Sequence, residues 1–401
     1  LIIVAVLGLI VVIFGLIFAG VLPGLQKNGK NPKKVQANLE FWGVGDTAQS
    51  YEEIFSNFKT VYPDVTINYR GFENADDYEI ALLDSLAAGK GPDIFMIQNA
   101  SLSREMNKIA PAPATKLSLL ALRQFPKIVE QNFASQNSVY GLPLSIDTLA
   151  LIYNRDLLNQ TGVAVLPENW EDFTSLVPKL VKTDSAKKIE RAGAAIGGSA
   201  KTIDGASPLL YALMLQTGTK MTSVDFKSAT FASKEGLHAL NFYAQFADAK
   251  NKTYTWNDAL PNSLDAISQG TAVMIFNYAS SIQKIKSRNA FIDLGVAPLP
   301  QPKTAGQALA YANYWGYVVS RQSKNQNLAW DFVIKMTTDA ANANTYVKQT
   351  KKPPALLALI DQYLNDPNLN VFARQALIAR SWPQADPKKI DEIFSRMIEA
   401  T

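Results

Sequence analysis

The chain of 401 residues contains no cysteine. Disulfides, thiolate nucleophiles, iron–sulfur clusters and Cys-ligated zinc are therefore excluded. Histidine is nearly absent: His238 is the only one. It lies in the helical pattern SKEGLHALNFYAQFAD, with Leu237, Leu240, Ala244 and Ala247 as the apolar face. A surface or rim position is expected, because a working histidine needs a partner and a site. Nothing suggests a Ser-His-Asp centre. Phosphate-cradling loops are missing as well. Ala87–Asp93 reads AAGKGPD, which has Gly-Lys but not the full phosphate loop, and no Gly-x-Gly-x-x-Gly follows a strand.

Excess charge is scarce and local. There are 39 basic and 35 acidic residues, a net of +4, and no acidic residue precedes Glu40. The whole excess is Lys27, Lys30, Lys33 and Lys34, so beyond residue 34 the two signs balance at 35 each. A nucleic-acid-binding surface would need a large basic excess, and none is expected.

What is present begins with a long apolar run. Leu1–Leu22 has no charged or hydrogen-bonding side chain. As a helix it would span about 33 Å, enough for a bilayer core of about 30 Å and longer than the apolar region of a secretory signal. It lacks a clear small-residue cleavage site, and FAGV (Phe18–Val21) has valine where a lipidated cysteine would stand. An uncleaved N-terminal transmembrane helix is expected, with a cleaved export signal as the alternative. Residues 23–36 are basic and rich in Asn and Gly, and read as a flexible tether that rests on anionic head groups.

The rest is 47% hydrophobic and 18% charged over the full sequence, and is long enough for two domains of about 150 residues each. Residues 37–97 alternate strand and helix. Ala37–Trp42 reads as a strand. A helix follows, with a capping box from Ser50 to Glu53. Val65–Tyr69 is a second strand, DDYEIALLDSLAAGKG a second helix, and Asp93–Ile97 a buried third strand. This order predicts a mostly parallel sheet with ligands at the C-terminal strand ends, where Trp42 and the Gln98–Asn99 pair fall. Further on, Asn169 is expected to cap a helix at Trp170, GTAVMIFNYAS and WGYVVS read as strands, and Pro353–Pro354 interrupt the chain.

One stretch poses a puzzle. YGLPLSIDTLALIYNRDLL (Tyr140–Leu158) carries Asp147 inside an apolar run. An ionised carboxylate there is costly unless something pairs with it. The middle of the stretch reads as a buried strand, with Leu142, Leu144, Ile146, Leu149, Leu151 and Ile152; Asp147 faces a ligand, caps LALIYNRDLL read as a helix, or does both.

The ordered series LEFWG, FKTVYPDVTINY, LLDSLAAGKGPDIFMI, VYGLPLSIDTLALIYNRDLLNQTGV, LPENWEDF, SQGTAVMIFNYAS, GVAPLPQP and YWGYVVSRQSKNQNLAWDFV resembles the family 1 extracellular solute-binding proteins of ABC importers, the maltose-binding-protein-like group. The resemblance implies an α/β fold: a two-lobed, periplasmic-binding-protein-like (type II) clamp with three inter-lobe crossings. Mapped here, the crossings fall near Ser145–Ala150, Leu309–Trp315 and Lys351–Pro354. Lobe one would be 37–146 plus 316–352, and lobe two 147–315 plus 353–401. The resemblance further implies capture of a solute, foremost a carbohydrate or oligosaccharide, between the lobes, and delivery to an ABC permease at the extracytoplasmic face of the bacterial cytoplasmic membrane. No catalysis, no cofactor, no metal and a monomeric state are expected.

On that reading Asp147 accepts hydrogen bonds from sugar hydroxyls. Trp42, Tyr278, Trp315 and Trp382 offer aromatic faces for sugar rings, and Asp46 and Asn99 add polar groups. The alternative for each aromatic is simple core packing, which is expected for Trp170 and Trp330. Two other readings compete. A carboxylate glycosidase would need two carboxyls about 5–9.5 Å apart, with Asp147 opposite Asp46 or Asp258. A membrane-tethered sensor or scaffold would bind ligand without a permease.

Overall fold

The computed structural model describes residues 35–163, 165–304 and 306–401. The expected apolar anchor over residues 1–22 and the tether up to residue 34 lie outside them. Among the described residues no helix is long and apolar enough to cross a membrane.

Two five-stranded sheets organise the chain. The first has the order Val65–Phe72, Ala37–Val44, Ile94–Gln98, Trp315–Ser320, Ile109–Ala110. Its first three strands run parallel, as the β-α-β-α-β order requires, and Trp315–Ser320 returns antiparallel. The second sheet has the order Leu294–Ala297, Ala150–Asn154, Ala272–Asn277, Ile189–Ala195, Lys182–Thr183. Each sheet has its own apolar core. Phe41, Tyr51, Phe95, Tyr317, Trp330 and Phe332 are buried in the first. Leu151, Phe173, Tyr243, Trp256 and Phe276 are buried in the second.

Local chemistry accounts for most of the elements. Asn74 caps Ala75–Ala87 by accepting from Asp77 N at 2.8 Å, and Asp76 and Asp77 complement the helix dipole. Asn169 accepts from Asp172 N at 2.9 Å, starting Trp170–Leu180 as the sequence suggests. Asp386 and Pro387 open Pro387–Glu399.

Two local expectations fail. Ser50 makes no cap, because Ala48–Ser50 is a 3-10 turn and the helix Glu52–Lys59 starts only after Tyr51. That turn drives Tyr51 fully into the core. The stretch LALIYNRDLL is not one helix for Asp147 to cap; the buried-strand reading of its start is the one the structure has. Ala150–Asn154 is a strand and only Arg155–Asn159 is helical. Leu149, Leu151 and Ile152 are all fully buried, and an apolar run covered on both faces suits a central strand.

Chain segments pass between the two cores side by side. Leu142 and Tyr317 exchange backbone hydrogen bonds at 3.1 and 2.9 Å. Leu149 N donates to Tyr311 O at 2.8 Å, Asn313 N to Asp147 O at 3.0 Å, and Ala355 N to Leu144 O at 3.1 Å. Gln375 braces this region: its Nε2 donates to Thr148 Oγ1 and Leu149 O, each at 3.1 Å, and its Oε1 accepts from Leu299 N at 2.8 Å. The helices Leu357–Tyr363 and Asn370–Ala376 fall within the expected lobe two, yet they place Leu359, Ile360, Ala373 and Ala376 in the first core.

Candidate binding site between the lobes

Asp147 is buried, and its carboxylate is already occupied. It accepts from Thr148 N at 3.0 Å, Ala279 N at 2.9 Å and Ser280 N at 3.0 Å. The last two donors are the first turn of the helix Ala279–Arg288, which has no side-chain cap of its own. Asp147 therefore caps a helix 132 residues away, not the segment that follows it. Burial pushes its carboxyl up to about 6, despite three N–H donors that pull the other way. Asp147 is no part of the lining of the inter-lobe pocket described below.

Asp46 is also engaged, but within the first lobe. Tyr51 Oη and Tyr346 Oη donate to its Oδ2 at 2.9 and 2.8 Å, and Lys352 Nζ meets Oδ1 at 2.6 Å. Tyr51 Oη and Tyr317 Oη lie 2.8 Å apart. Tyr69 reaches Asp46 O at 3.0 Å by crossing the paired glycines Gly43 and Gly71. A Cβ at Gly43 would stand 2.5 Å from Tyr69 Oη, so the close approach requires glycine. Asp46 is the acceptor of a closed tyrosine cluster, and the sequence reading of it as a ligand contact gains no support from this geometry.

A pocket of about 240 Å³ lies between the lobes. Asp76, Glu79, Gln98 and Asn99 line it from the first lobe. Tyr211, Tyr311, Asn313, Gln384, Lys388 and Asp391 line it from the crossing segment, the second lobe and the C-terminal helix. The lobes touch at its edge through Gln384 N, which donates to Ala100 O at 2.9 Å, and through Lys388 Nζ and Asp76 Oδ1 at 2.8 Å. A smaller hollow of about 110 Å³ shares Glu79 and Gln98 and adds Tyr78, Arg104 and Trp315.

The expected site residues divide accordingly. Asn99 lines the pocket, with its side chain also tied to the crossing segment: Oδ1 accepts from Tyr314 N at 3.2 Å and Nδ2 donates to Asn132 Oδ1 at 3.2 Å. Trp315 lines the adjoining hollow, edge-on to Tyr78 at 5.9 Å. Trp42 stands further along the same aromatic row, against Phe72 at 5.4 Å, with the Arg70 guanidinium 4.5 Å over its ring. Trp382 is buried behind the pocket, 5.5 Å edge-on to Tyr211. Tyr278 is buried at the start of the Asp147-capped helix.

Four buried polar atoms in this region make no hydrogen bond of normal geometry: Tyr211 Oη, Tyr278 Oη, Trp382 Nε1 and Gln384 Nε2. Such groups are rare in folded proteins and each costs about 1–3 kcal/mol. Burial raises both tyrosine hydroxyls far above their ordinary range, so they stay protonated donors.

Sequence reasoning passed over Tyr211, Tyr311, Asn313 and Gln384. Tyr211 sits in the apolar helix ASPLLYALMLQ and reads as core. Gln384 stands two residues after Trp382 in RSWPQAD, where the break in pattern was the available signal. His238 is exposed, as expected, but so is Leu237, at 57%. Trp170 and Trp330 are core. Among the described residues no group of His, Asp or Glu could hold a metal ion.

The fold and the pocket define a two-lobed α/β binding protein. The family model for "Bacterial extracellular solute-binding protein" matches residues 44–343, and the chain belongs to that family. A maltotriose-binding protein of Pyrococcus abyssi is 23% identical over 327 residues, 80% of this chain and 66% of that protein. An arabinooligosaccharide-binding protein of Bacillus subtilis is 24% identical over 350 residues, 78% of this chain and 72% of that protein. An ABC substrate-binding protein of Listeria monocytogenes, solved with cycloalternan, superposes with a TM-score of 0.73 at 18% identity, covering 91% of this chain and 94% of that one.

Proposed function

We propose that this protein captures a carbohydrate in the pocket between Gln98–Asn99 and Tyr211–Gln384 and delivers it to an ABC importer at the extracytoplasmic face of the membrane. It acts by binding and release, with no chemistry on the ligand. The observation that carries this reading is a pocket between the lobes lined by Tyr211 and Gln384, whose buried Oη and Nε2 make no hydrogen bond of normal geometry. A sugar hydroxyl both donates and accepts, so a polyol can satisfy a tyrosine hydroxyl and an amide N–H in one site. The aromatic rings of Tyr211, Tyr311 and Trp315 supply the apolar faces that sugar rings need. The names of the relatives support the same ligand class. A volume of about 240 Å³ suits one or two sugar rings. Residues 1–22 would hold the protein at the membrane, and the paired crossing segments would serve as the hinge.

The test is a thermal-shift screen of the protein over mono- and oligosaccharides, peptides, polyamines and phosphates. A ligand specific to the folded state adds about 2.7 kcal/mol at a hundredfold excess over Kd. A sugar should raise Tm, and Gln384→Leu should abolish that shift. Stabilisation by peptides or phosphates alone would overturn the carbohydrate reading.

A further inference from the structure

The charged lining of the inter-lobe pocket is mainly acidic. Asp76, Glu79 and Asp391 line it, against a single lysine, Lys388, which is already paired with Asp76 at 2.8 Å. The nearest cation to Glu79 is Arg104 Nη2 at 3.8 Å, outside the pocket in the adjoining hollow. Asp391 has no cation within 4.0 Å among the described residues. No arginine lines the pocket, so a phosphate or carboxylate ligand would find no bidentate partner.

Two independent observations mark this acidic lining as part of a ligand site and not a solvated face. Tyr211 and Gln384 both line the pocket, are 4% exposed, and leave Oη and Nε2 without a hydrogen bond of normal geometry. Partial burial also raises the carboxyls of Glu79 and Asp391 above the usual range, outweighing Arg104 beside Glu79 and Ser207 beside Asp391.

We propose that the pocket is selective for a cationic sugar, one carrying a free amino group, with Asp391 as the partner of the ammonium, Glu79 as a second acceptor, and Tyr211 and Gln384 bonded to hydroxyls. This rests on the carbohydrate reading given above and sharpens it to a ligand class. The polar amide and phenol groups separate it from a polyamine site, since a polyamine has no hydroxyls to satisfy them.

The test is calorimetric titration of the full chain with matched pairs: glucosamine and glucose, galactosamine and galactose, mannosamine and mannose, and the β-1,4 glucosamine disaccharide against cellobiose. Glucose 6-phosphate and spermidine complete the panel. In at least one pair the amino sugar should bind about tenfold more tightly at low ionic strength, and the ratio should shrink at 0.5 M salt. In Asp391→Asn the ratio should fall below about threefold. Gln384→Leu should weaken both members of the pair alike. Equal affinity within every pair, or a preference that survives Asp391→Asn with Glu79→Gln, overturns this inference and leaves the carbohydrate reading standing. Tighter binding of spermidine or of glucose 6-phosphate than of any sugar overturns both, as does binding of no sugar at all.

Discussion

Two groups of tyrosines in this molecule behave oppositely. In the first lobe Tyr51, Tyr69 and Tyr346 donate to Asp46, and Tyr51 and Tyr317 meet each other. Between the lobes Tyr211 and Tyr278 are also buried, and their hydroxyls make no hydrogen bond of normal geometry. The first group is a closed circuit, in which every polar atom has been used to hold the fold. The second is open. The same side chain holds the fold through its hydroxyl where its bonds are complete and does not where they are missing. Burial alone does not tell the two apart, and the hydrogen-bond inventory does.

The most direct way to break the closed circuit is Asp46→Ala. It strands Lys352, which is a quarter exposed, and leaves two tyrosine hydroxyls without their acceptor. The expected loss is about 4 kcal/mol, measured by chemical denaturation, toward the middle of the range for removing one partner of a buried pair. Ligand affinity of the surviving folded fraction should not change. A loss of affinity at unchanged stability would move Asp46 back into the site.

Asp147 ranks next. Asp147→Ala leaves the N–H groups of Ala279 and Ser280 without a cap and should cost about 3 kcal/mol. Its titration gives a second handle. The folded carboxyl titrates at about 6, against about 3.9 in an unfolded chain. Between those values the folded state holds a proton that the unfolded state has lost. This contribution to stability is therefore present below about pH 4 and is lost as pH rises through about 6. The difference amounts to as much as about 3 kcal/mol. Denaturation curves of the wild type and Asp147→Asn at pH 4, 5, 6 and 7 should diverge by that amount, with the wild type losing ground as pH rises. Parallel curves would show that the three N–H donors hold the carboxyl at an ordinary value.

These two carboxylates also mark what was legible in the sequence. The alternation of strand and helix over residues 37–97, the cap at Asn169 and the core tryptophans at 170 and 330 follow from local pattern, and the structure has them. That Asp147 needed a partner was legible too, since it sits in an apolar run. Which partner it has was not, because the helix it caps begins 132 residues later. Asp46 looked free because its acceptors' partners arrive from residues 51, 346 and 352, brought together only by the sheet. Ser50 failed as a cap because the burial of Tyr51 overrode the local signal. The pocket itself draws on Tyr211, Asn313 and Gln384, each ordinary in its own segment. Only their convergence gives them meaning, and convergence is a property of the crossings.

A matched pair of substitutions sharpens the tyrosine comparison. Tyr51→Phe removes a hydroxyl bonded to both Asp46 and Tyr317, and should cost about 1–2 kcal/mol. Tyr278→Phe removes a hydroxyl with no bond to lose, so stability should be unchanged or higher by up to about 1 kcal/mol. Sugar affinity should be retained in both, since neither residue lines the pocket. Equal destabilisation by the two changes would mean that Tyr278 has a partner after all, and that the contrast between the clusters is false.

The smallest expected effect is at the pocket's edge. Lys388 and Asp76 form an ion pair across the lobes, but their side chains are 60% and 66% exposed. Exposed pairs contribute about 0–1 kcal/mol, so Lys388→Ala should leave the denaturation midpoint almost where it was. The substitution has a second consequence that stability does not read. It removes the only ammonium in the pocket lining and frees the Asp76 carboxylate. If the lining selects a cationic sugar, the affinity for the amino sugar should rise in Lys388→Ala and the affinity for its neutral counterpart should stay level. If Lys388 instead grips the ligand, as it would a phosphate or carboxylate, affinity should fall with the fold intact. One conservative surface change thus separates a pocket made for positive charge from one made for negative charge.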